Sequence, residues 1–206
     1  MLKQLADWVT IKPSNTALIV IDMQKDFCSS DGYAAKRGKL ISKIQSIAKN
    51  IHAFAQTLAD KGILVIYTRF VSGENITPKN LVTAVTKEGF HIPCAKGSGG
   101  EEFYLSTKPK NAIIIDKPHY DSFAYTDIQT ILKNKNIRNV LITGVRTEVC
   151  VDATAKRAAS EGYDVFILKD LVQTYDDHQS IHEYTLKFFN DYYGFVVNSN
   201  DILKEL

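Results

Sequence analysis

Short apolar stretches rich in β-branched residues recur along the chain, separated by polar and turn-forming residues. They lie at residues 16–21, 63–67, 112–115, 137–143, 165–168 and 195–197. The first of them, TALIVI, has no polar face, which is typical of a central parallel strand covered by helices on both sides. The pattern predicts a buried parallel sheet of about six strands.

Between these stretches the apolar residues recur at helical spacing. Residues 39–61, 123–133 and 178–192 show this period, a short lead-in helix is predicted at residues 2–10, and small residues from Cys150 to Gly162 indicate a helix that lies close on a sheet. Strands that alternate with helices are typical of βαβ units. The chain is therefore predicted to be an α/β protein.

Length and composition narrow the class of protein. The chain has 206 residues, of which 45% are hydrophobic, enough for one sizeable core, so we expect a single domain over residues 1–206. A net charge of +2 without a basic cluster gives no reason to expect a nucleic-acid partner. The apolar runs are too short to span a membrane, and no signal-peptide pattern follows Met1, so a soluble cytoplasmic protein is expected.

Three chemically reactive residues each follow a different predicted strand at its carboxyl end: Asp22, Lys117 and Cys150. Open α/β sheets hold their ligands at this edge. Each residue alone has an ordinary explanation, a capping carboxylate for Asp22 or a small buried hydrophobe for Cys150. Their coincidence favours a functional site, and the position of Cys150 in the first turn of a helix predicts a thiol pKa below its usual value of about 8.5.

Three separated motifs, ALIVIDMQKDFC, IDKPHYDSFAYTD and LITGVRTEVCVDATAKRAASEGYDV, resemble those of the isochorismatase-like cysteine hydrolases. The resemblance covers residues 16–203 and implies a three-layer α/β/α fold with a doubly wound parallel sheet. It also implies a catalytic triad of Asp22, Lys117 and Cys150. The resemblance implies that Cys150 attacks a carbonyl carbon to form a thioester. Asp22 would take the thiol proton and return it to the leaving nitrogen, and Lys117 would keep Asp22 ionised.

The same resemblance implies an oxyanion hole made by backbone N–H groups. By analogy these belong to Arg146 and Cys150, in a turn that resembles one with a cis peptide bond between Val145 and Arg146.

Departures from the family pattern restrict the reaction. Arg69-Phe70-Val71 stands where the nicotinamidase branch carries an Asp-x-His metal motif, so we expect no metal and no other cofactor. The isochorismatase branch lacks the cysteine at the place of Cys150. The motifs are most similar to biuret hydrolase, ureidoacrylate amidohydrolase and N-carbamoylsarcosine amidohydrolase, which implies hydrolysis of a C–N bond in a small amide, ureido or carbamoyl compound.

Six residues near these motifs are candidates for substrate binding. Guanidinium groups form paired bonds to carboxylates, although a surface ion pair is an equally good explanation for each arginine. Aromatic side chains could wall the pocket, although they are more often plain core. The candidates are Phe27, Arg69, Phe70, Tyr120, Phe123 and Arg146.

Several alternatives stay open at this point. A Cys–His hydrolase that uses His119, a nicotinamidase-type amidase, an isochorismatase-type hydrolase and a catalytically silent interaction domain of the same fold all fit part of the pattern. We also expect a homo-oligomer, either a dimer or a tetramer. Residues 71–111, which include the turn after Pro93-Cys94, have no regular period and are a candidate lid.

Overall fold

The computed structural model describes residues 9–87, 89 and 91–206. The helix predicted at residues 2–10 falls almost entirely outside this part of the chain. The described residues form α-helices, one parallel sheet and short irregular connections.

The sheet has six strands, and all their pairings are parallel. The spatial order is β3-β2-β1-β4-β5-β6, so the chain winds outward first in one direction and then in the other. The order reverses between β1 and β4, and the crevice at such a switch point is where doubly wound sheets bind ligands. The strands are β1 (Thr16–Ile21), β2 (Leu64–Phe70), β3 (Ile113–Lys117), β4 (Asn139–Val145), β5 (Asp164–Gln173) and β6 (Phe195–Val197).

Helices cover both faces of the sheet. They are α1 (Lys25–Cys28), α2 (Tyr33–Lys36), α3 (Ser42–Asp60), α4 (Lys79–Thr86), α5 (Ile128–Asn134), α6 (Asp152–Ser160), α7 (Gln179–Tyr192) and α8 (Ser199–Lys204). Alternate residues of each strand point to opposite faces, which divides the core into two layers. In β1, Leu18 and Val20 face the layer of α3 and α8, whereas Ile19 and Ile21 face the layer of α5, α6 and α7. The three-layer fold with a doubly wound parallel sheet is thus confirmed.

Two strands, β2 and β5, extend furthest beyond the carboxyl ends that their apolar stretches predicted. β2 continues to Phe70 through Thr68 and Arg69, and β5 continues to Gln173 through the exposed Lys169 and Asp170. In β2 the backbone pairing runs on through these polar residues, and in β5 it resumes at Val172 after an irregularity, so hydrophobicity alone does not mark the ends of these strands.

The helices show two further differences from prediction. α5 begins at Ile128 rather than at residue 123, after Tyr125 with a φ of 61°, which no helix accommodates. The segment before α6, Thr147–Val151, is a π-helical turn, and it contains Cys150. Residues 71–111 contain the short helix α4, and residues 23–38, which also lack a regular period and were expected to form a loop, contain the short helices α1 and α2.

No helix in the described part of the chain is long and apolar enough to cross a membrane.

Candidate active site

Asp22 and Lys117 form an ion pair behind the carboxyl edge of the sheet. Asp22 directly follows β1, Lys117 is the last residue of β3, and their charged atoms, Oδ2 and Nζ, are 2.7 Å apart. Both side chains are completely buried. The second carboxylate oxygen of Asp22 accepts a hydrogen bond of 3.1 Å from the hydroxyl of Thr68 in β2. Since a buried charge is tolerated only when it is paired, each of these two residues requires the other.

The backbone of Asp22 turns sharply at the end of β1. Its φ is 50°, in the left-handed region, which aspartate and asparagine adopt more readily than most other residues. The residue type at this position therefore meets two requirements, a turn in the backbone and a buried carboxylate.

Three acceptors surround the ammonium group of Lys117. Besides Asp22, the carbonyl oxygens of His119 and Tyr120 accept hydrogen bonds from Nζ at 2.9 and 3.1 Å. Burial lowers the pKa of Lys117, but the charges of Asp22 and Cys150 and the side-chain hydrogen bonds to these two residues outweigh it, so that the pKa is raised and the side chain stays cationic. His119 contributes its carbonyl here, while its ring packs against Tyr120 and is not among the described side chains that line the cavity.

Cys150 lies beside this ion pair and is 6% exposed. Its thiol interacts with both Asp22 and Lys117. Burial raises the pKa of the Cys150 thiol, Lys117 lowers it in part, and Asp22 raises it again, so that the net direction is upward. The expectation of a lowered thiol pKa was wrong, because the helix terminus and the lysine do not offset the loss of water.

The turn between β4 and Cys150 has a cis peptide bond between Val145 and Arg146, as the resemblance implied. The carbonyl oxygen of Arg146 accepts hydrogen bonds from the N–H groups of Val149 and Val151, at 3.1 and 3.2 Å, which close the turn. His182 of α7 holds the turn from outside, with Nδ1 2.8 Å from the hydroxyl of Thr147.

A cavity of about 440 Å³ opens above Cys150. Its walls combine aromatic and aliphatic side chains with a few polar groups. The described residues that line it are Phe27, Tyr33, Arg37, Phe70, Ala84, Val85, Ile92, Pro93, Tyr120, Val145, Arg146, Val149, Cys150 and Tyr175.

Known proteins with a similar sequence identify the family of this chain. The isochorismatase domain family matches residues 16–201, which is most of the chain. The chain belongs to the isochorismatase family. Ureidoacrylate amidohydrolase RutB from Acinetobacter baylyi is 30% identical over 170 residues, which cover 76% of this chain and 69% of that protein.

Solved structures of the family share the fold. The pyrazinamidase of Pyrococcus horikoshii in complex with zinc is 28% identical, with a TM-score of 0.75 over 89% of this chain and 99% of that one. A cysteine hydrolase from Pseudomonas syringae pv. phaseolicola 1448A is 23% identical and has a TM-score of 0.80 over 100% and 98% of the two chains.

Four of the six predicted substrate-binding residues of this isochorismatase-family protein line the cavity, namely Phe27, Phe70, Tyr120 and Arg146. These four side chains thus share a cavity with Cys150, and their binding of a substrate stays a prediction.

Arg69 is not one of the cavity residues, and its prediction as a carboxylate-binding group is corrected. In β2 its side chain lies opposite to that of Phe70, because neighbouring residues of a strand face opposite sides. Its Nε and Nη2 atoms donate hydrogen bonds of 2.7 and 2.9 Å to the two carboxylate oxygens of Asp116 on β3. Arg69 thus forms the surface ion pair that was the alternative explanation.

The prediction that Phe123 lines the pocket is also corrected. It is only 7% exposed and belongs to the core layer of α5, α6 and α7. There the centre of its ring lies 6.2 Å from the centre of the Tyr163 ring. Its position just after the Lys117 motif suggested the pocket, but the chain turns inward before α5.

Sequence reasoning missed Tyr33, Arg37 and Tyr175. Tyr33 and Arg37 belong to a stretch with no period, so no pattern separated them from their neighbours. Tyr175 follows β5 closely at its carboxyl end. The rule that selected Asp22, Lys117 and Cys150 would have selected it as well, had the end of β5 been predicted correctly.

Gln24, which is completely buried, ties the loop that contains Glu101 to strand β2 of the sheet. Its side chain exchanges hydrogen bonds of 2.8 Å with the backbone N–H and carbonyl of Phe70, and it donates another of 2.9 Å to the carbonyl of Glu101. Whether residues 71–111 move as a lid stays a prediction.

The donor set does not fit a metal of the kind named for the Pyrococcus relative. Arg69 is bonded to Asp116, and the buried side chain of Val71 has no lone pair. In the part of the chain that is described, no three His, Cys, Asp or Glu side chains are grouped so that they could hold a metal ion.

Proposed function

We propose that this protein is a cysteine hydrolase that cleaves a C–N bond of a small amide, ureido or carbamoyl compound. The observation that carries the proposal is the buried Asp22–Lys117 pair beside the thiol of Cys150, at the floor of a cavity of small-molecule size. Membership of the isochorismatase family and the 30% identity to a ureidoacrylate amidohydrolase support the ureido branch.

The first step is attack of the Cys150 sulfur on the substrate carbonyl carbon. Because burial raises the pKa of this thiol, the resting group is S–H, and a base must take the proton as the C–S bond forms. Asp22 is the base in contact with the thiol. Lys117 stabilises the negative charge of the pair while the proton moves.

The tetrahedral intermediate places negative charge on the former carbonyl oxygen. The backbone N–H groups of Arg146 and Cys150 are proposed to stabilise it, since both belong to the turn that presents the thiol.

Collapse of the intermediate breaks the C–N bond and leaves a thioester, or a thiocarbamate if the substrate is a ureide. The protonated Asp22 returns its proton to the leaving nitrogen, which departs as ammonia or an amine. Water then attacks the acyl carbon while Asp22 takes a proton from it, and as the C–S bond breaks Asp22 returns this proton to the sulfur to regenerate the Cys150 thiol. Each bond that forms is matched by one that breaks.

The proposal is tested by ammonia release from a panel of ureido acids, biuret, nicotinamide and simple amides. Cys150→Ser, Asp22→Asn and Lys117→Ala should each lower kcat by at least about 10³-fold, and double substitutions should add little, because the three residues act as one unit. Asp22→Asn is chosen because asparagine also accepts the left-handed backbone of this position.

Cys28→Ala is the matched control, since it removes another buried thiol that does not line the cavity. Loss of one partner of a buried ion pair costs about 3–5 kcal/mol, so the fold of each variant is checked by circular dichroism. If the ion-pair variants unfold, Cys150→Ser still decides the question, because a folded and fully active Cys150→Ser enzyme would exclude the mechanism.

A further inference from the structure

We infer that Asp26 is a positioning residue that sets the shape of the cavity above Cys150 from outside it. Its carboxylate joins two other segments of the chain to its own, and it is not among the described residues that line the cavity. The inference rests on the proposed function and deepens it, because it names the group that fixes one wall of the substrate-binding cavity.

The two carboxylate oxygens of Asp26 accept hydrogen bonds from different segments. Oδ1 accepts one of 3.1 Å from the backbone N–H of Tyr33, at the start of α2, and Oδ2 accepts one of 2.6 Å from the backbone N–H of Cys94. Hydrogen bonds to a charged acceptor are stronger than neutral ones. Cys94 has a φ of 58°, a left-handed conformation that a non-glycine residue keeps only where its surroundings impose it. Asp26 therefore holds together two places that lie far apart in the sequence.

The backbone around Gly100 closes the same junction from a third side. The N–H of Asp26 donates a hydrogen bond of 3.0 Å to the carbonyl oxygen of Gly100, and the thiol of Cys94 donates to that oxygen at 3.7 Å. A Cβ atom at Gly100 would lie 2.4 Å from the carboxylate atoms of Asp26. The carboxylate could not keep its position beside any larger residue, since such an approach is well inside van der Waals contact.

The segments that meet at Asp26 supply one wall of the cavity. The side chains of that wall are Phe27, Tyr33 and Pro93. Phe27 directly follows Asp26 in the chain, and Pro93 directly precedes Cys94. A displacement of the carboxylate would therefore move three side chains of the binding surface together.

The reacting groups are held by other contacts. Asp22 and Lys117 are fixed by each other, by the hydroxyl of Thr68 and by two carbonyl groups that follow β3. Cys150 is held by the turn after β4. These contacts belong to the sheet and its strand ends rather than to the segments that Asp26 joins. A change at Asp26 should therefore weaken substrate binding more than it slows the chemical step.

Two variants disturb the junction in different ways. Asp26→Asn leaves one oxygen acceptor in the side chain, so the N–H of either Tyr33 or Cys94 loses its partner. Gly100→Ala leaves the carboxylate in place of the chain but pushes it out of position. For the member of the ammonia-release panel that the wild-type protein hydrolyses fastest, each variant should raise KM by about tenfold and lower kcat by less than about threefold.

Two control variants separate this effect from charge and from loop strain. Asp31→Asn removes an exposed carboxylate from the connection between α1 and α2. Gly97→Ala strains the loop, because its φ is 80°, but its added Cβ atom would meet nothing within 4 Å. Both controls should keep the wild-type KM. An unchanged KM in the two junction variants, or a KM raised as much in the controls, would overturn the inference.

Labelling by iodoacetamide tests the junction without a substrate. Cys94 is completely buried, and in both junction variants it should be labelled at least about tenfold faster than in the wild-type protein, because its loop opens more often. Cys28, in the core layer of α3, should keep its wild-type rate. Peptide mapping by mass spectrometry gives the two rates separately. Equal acceleration at both thiols would indicate general destabilisation, and no acceleration at Cys94 would show that Asp26 does not hold the loop. Either result overturns the inference.

The outcomes distinguish this inference from the proposed function. If the wild-type protein hydrolyses no member of the panel, the proposed function fails for those substrates, and the labelling of Cys94 still decides the role of Asp26. If neither junction variant folds, hydrogen exchange of the wild-type protein decides it by nuclear magnetic resonance. Slow exchange of the backbone N–H groups of Tyr33 and Cys94 supports the junction, and exchange as fast as in an unfolded chain excludes it.

Discussion

At the scale of single residues, the ion pair between Asp22 and Lys117 determines how Cys150 can react. A neighbouring lysine alone favours the thiolate, whereas this thiol is also buried and faces a carboxylate, and its pKa is raised. In the proposed mechanism the reactive form is therefore generated during attack rather than stored beforehand. A thiol that stays protonated is less open to adventitious oxidation, because the thiolate is the species that oxidants attack.

Alkylation of the free protein measures this property. The rate of iodoacetamide labelling at Cys150 should keep rising between about pH 7 and pH 9, because the thiolate fraction is still small below a raised pKa. Peptide mapping by mass spectrometry gives the rate for each cysteine separately. A rate that reaches a plateau below about pH 8 would show a lowered thiol pKa. The thiolate would then be present before the substrate binds.

The residue scale also shows what the sequence could and could not predict. Asp22, Lys117 and Cys150 were found because each follows an apolar strand, and the sheet brings those strand ends together. Arg69 and Phe70 were both assigned to the pocket, although adjacent residues of one strand face opposite sides. Only knowing that β2 extends through both would have excluded one of them. Arg37 was missed because nothing in the local pattern shows where an irregular segment folds back.

At the scale of elements, the end of β4 brings together the strand, the turn at Arg146 and the thiol of Cys150. Gly144 has a φ of 112°, and a Cβ atom at this position would lie 2.0 Å from the carbonyl oxygen of Ile21 in β1. The close approach of β4 to β1 just before the turn at Arg146 therefore requires glycine. The apolar pattern predicted the strand itself, but the π-helical turn that follows has no period that a sequence could display.

Gly144→Ala should destabilise the protein by several kcal/mol, because the added methyl group meets backbone atoms that cannot move without breaking the strand pairing. Urea unfolding monitored by circular dichroism gives the change in free energy. Gly162→Ala is the control: its φ is 88°, but its Cβ atom would meet nothing within 4 Å. It should cost only about 1 kcal/mol, the penalty of the left-handed backbone alone. Equal costs at both positions would show that steric contact with β1 is not the cause.

At the scale of the whole molecule, the fold was predictable because strands buried on both faces leave a strong signal in the sequence. β1 and β6 have the predicted bounds, and both core layers follow from the alternation within the strands. The cavity walls depend instead on segments whose positions are set by single buried contacts, such as Gln24 with Phe70 and Glu101. Contacts of that kind join residues far apart in the chain, and no local pattern encodes them.

Three buried thiols give the whole molecule a distinctive dependence of stability on pH. Burial raises the pKa of Cys28, Cys94 and Cys150. The folded chain keeps these protons, whereas the unfolded chain releases them above about pH 8.5. Their contribution to stability is therefore complete below that pH and is lost as the pH rises towards the folded values, with a slope of up to about 4 kcal/mol per pH unit for the three together.

Urea unfolding in the presence of a reductant, at intervals between about pH 7 and pH 10, tests this slope. Cys28→Ala removes one of the three thiols, so the slope above about pH 8.5 should become shallower by about 1.4 kcal/mol per pH unit, whatever the substitution costs at neutral pH. Cys28 is suited to the test because its side chain is completely buried but does not line the cavity. An unchanged slope would mean that the folded protein releases the Cys28 proton as readily as the unfolded chain, and that water reaches this part of the core.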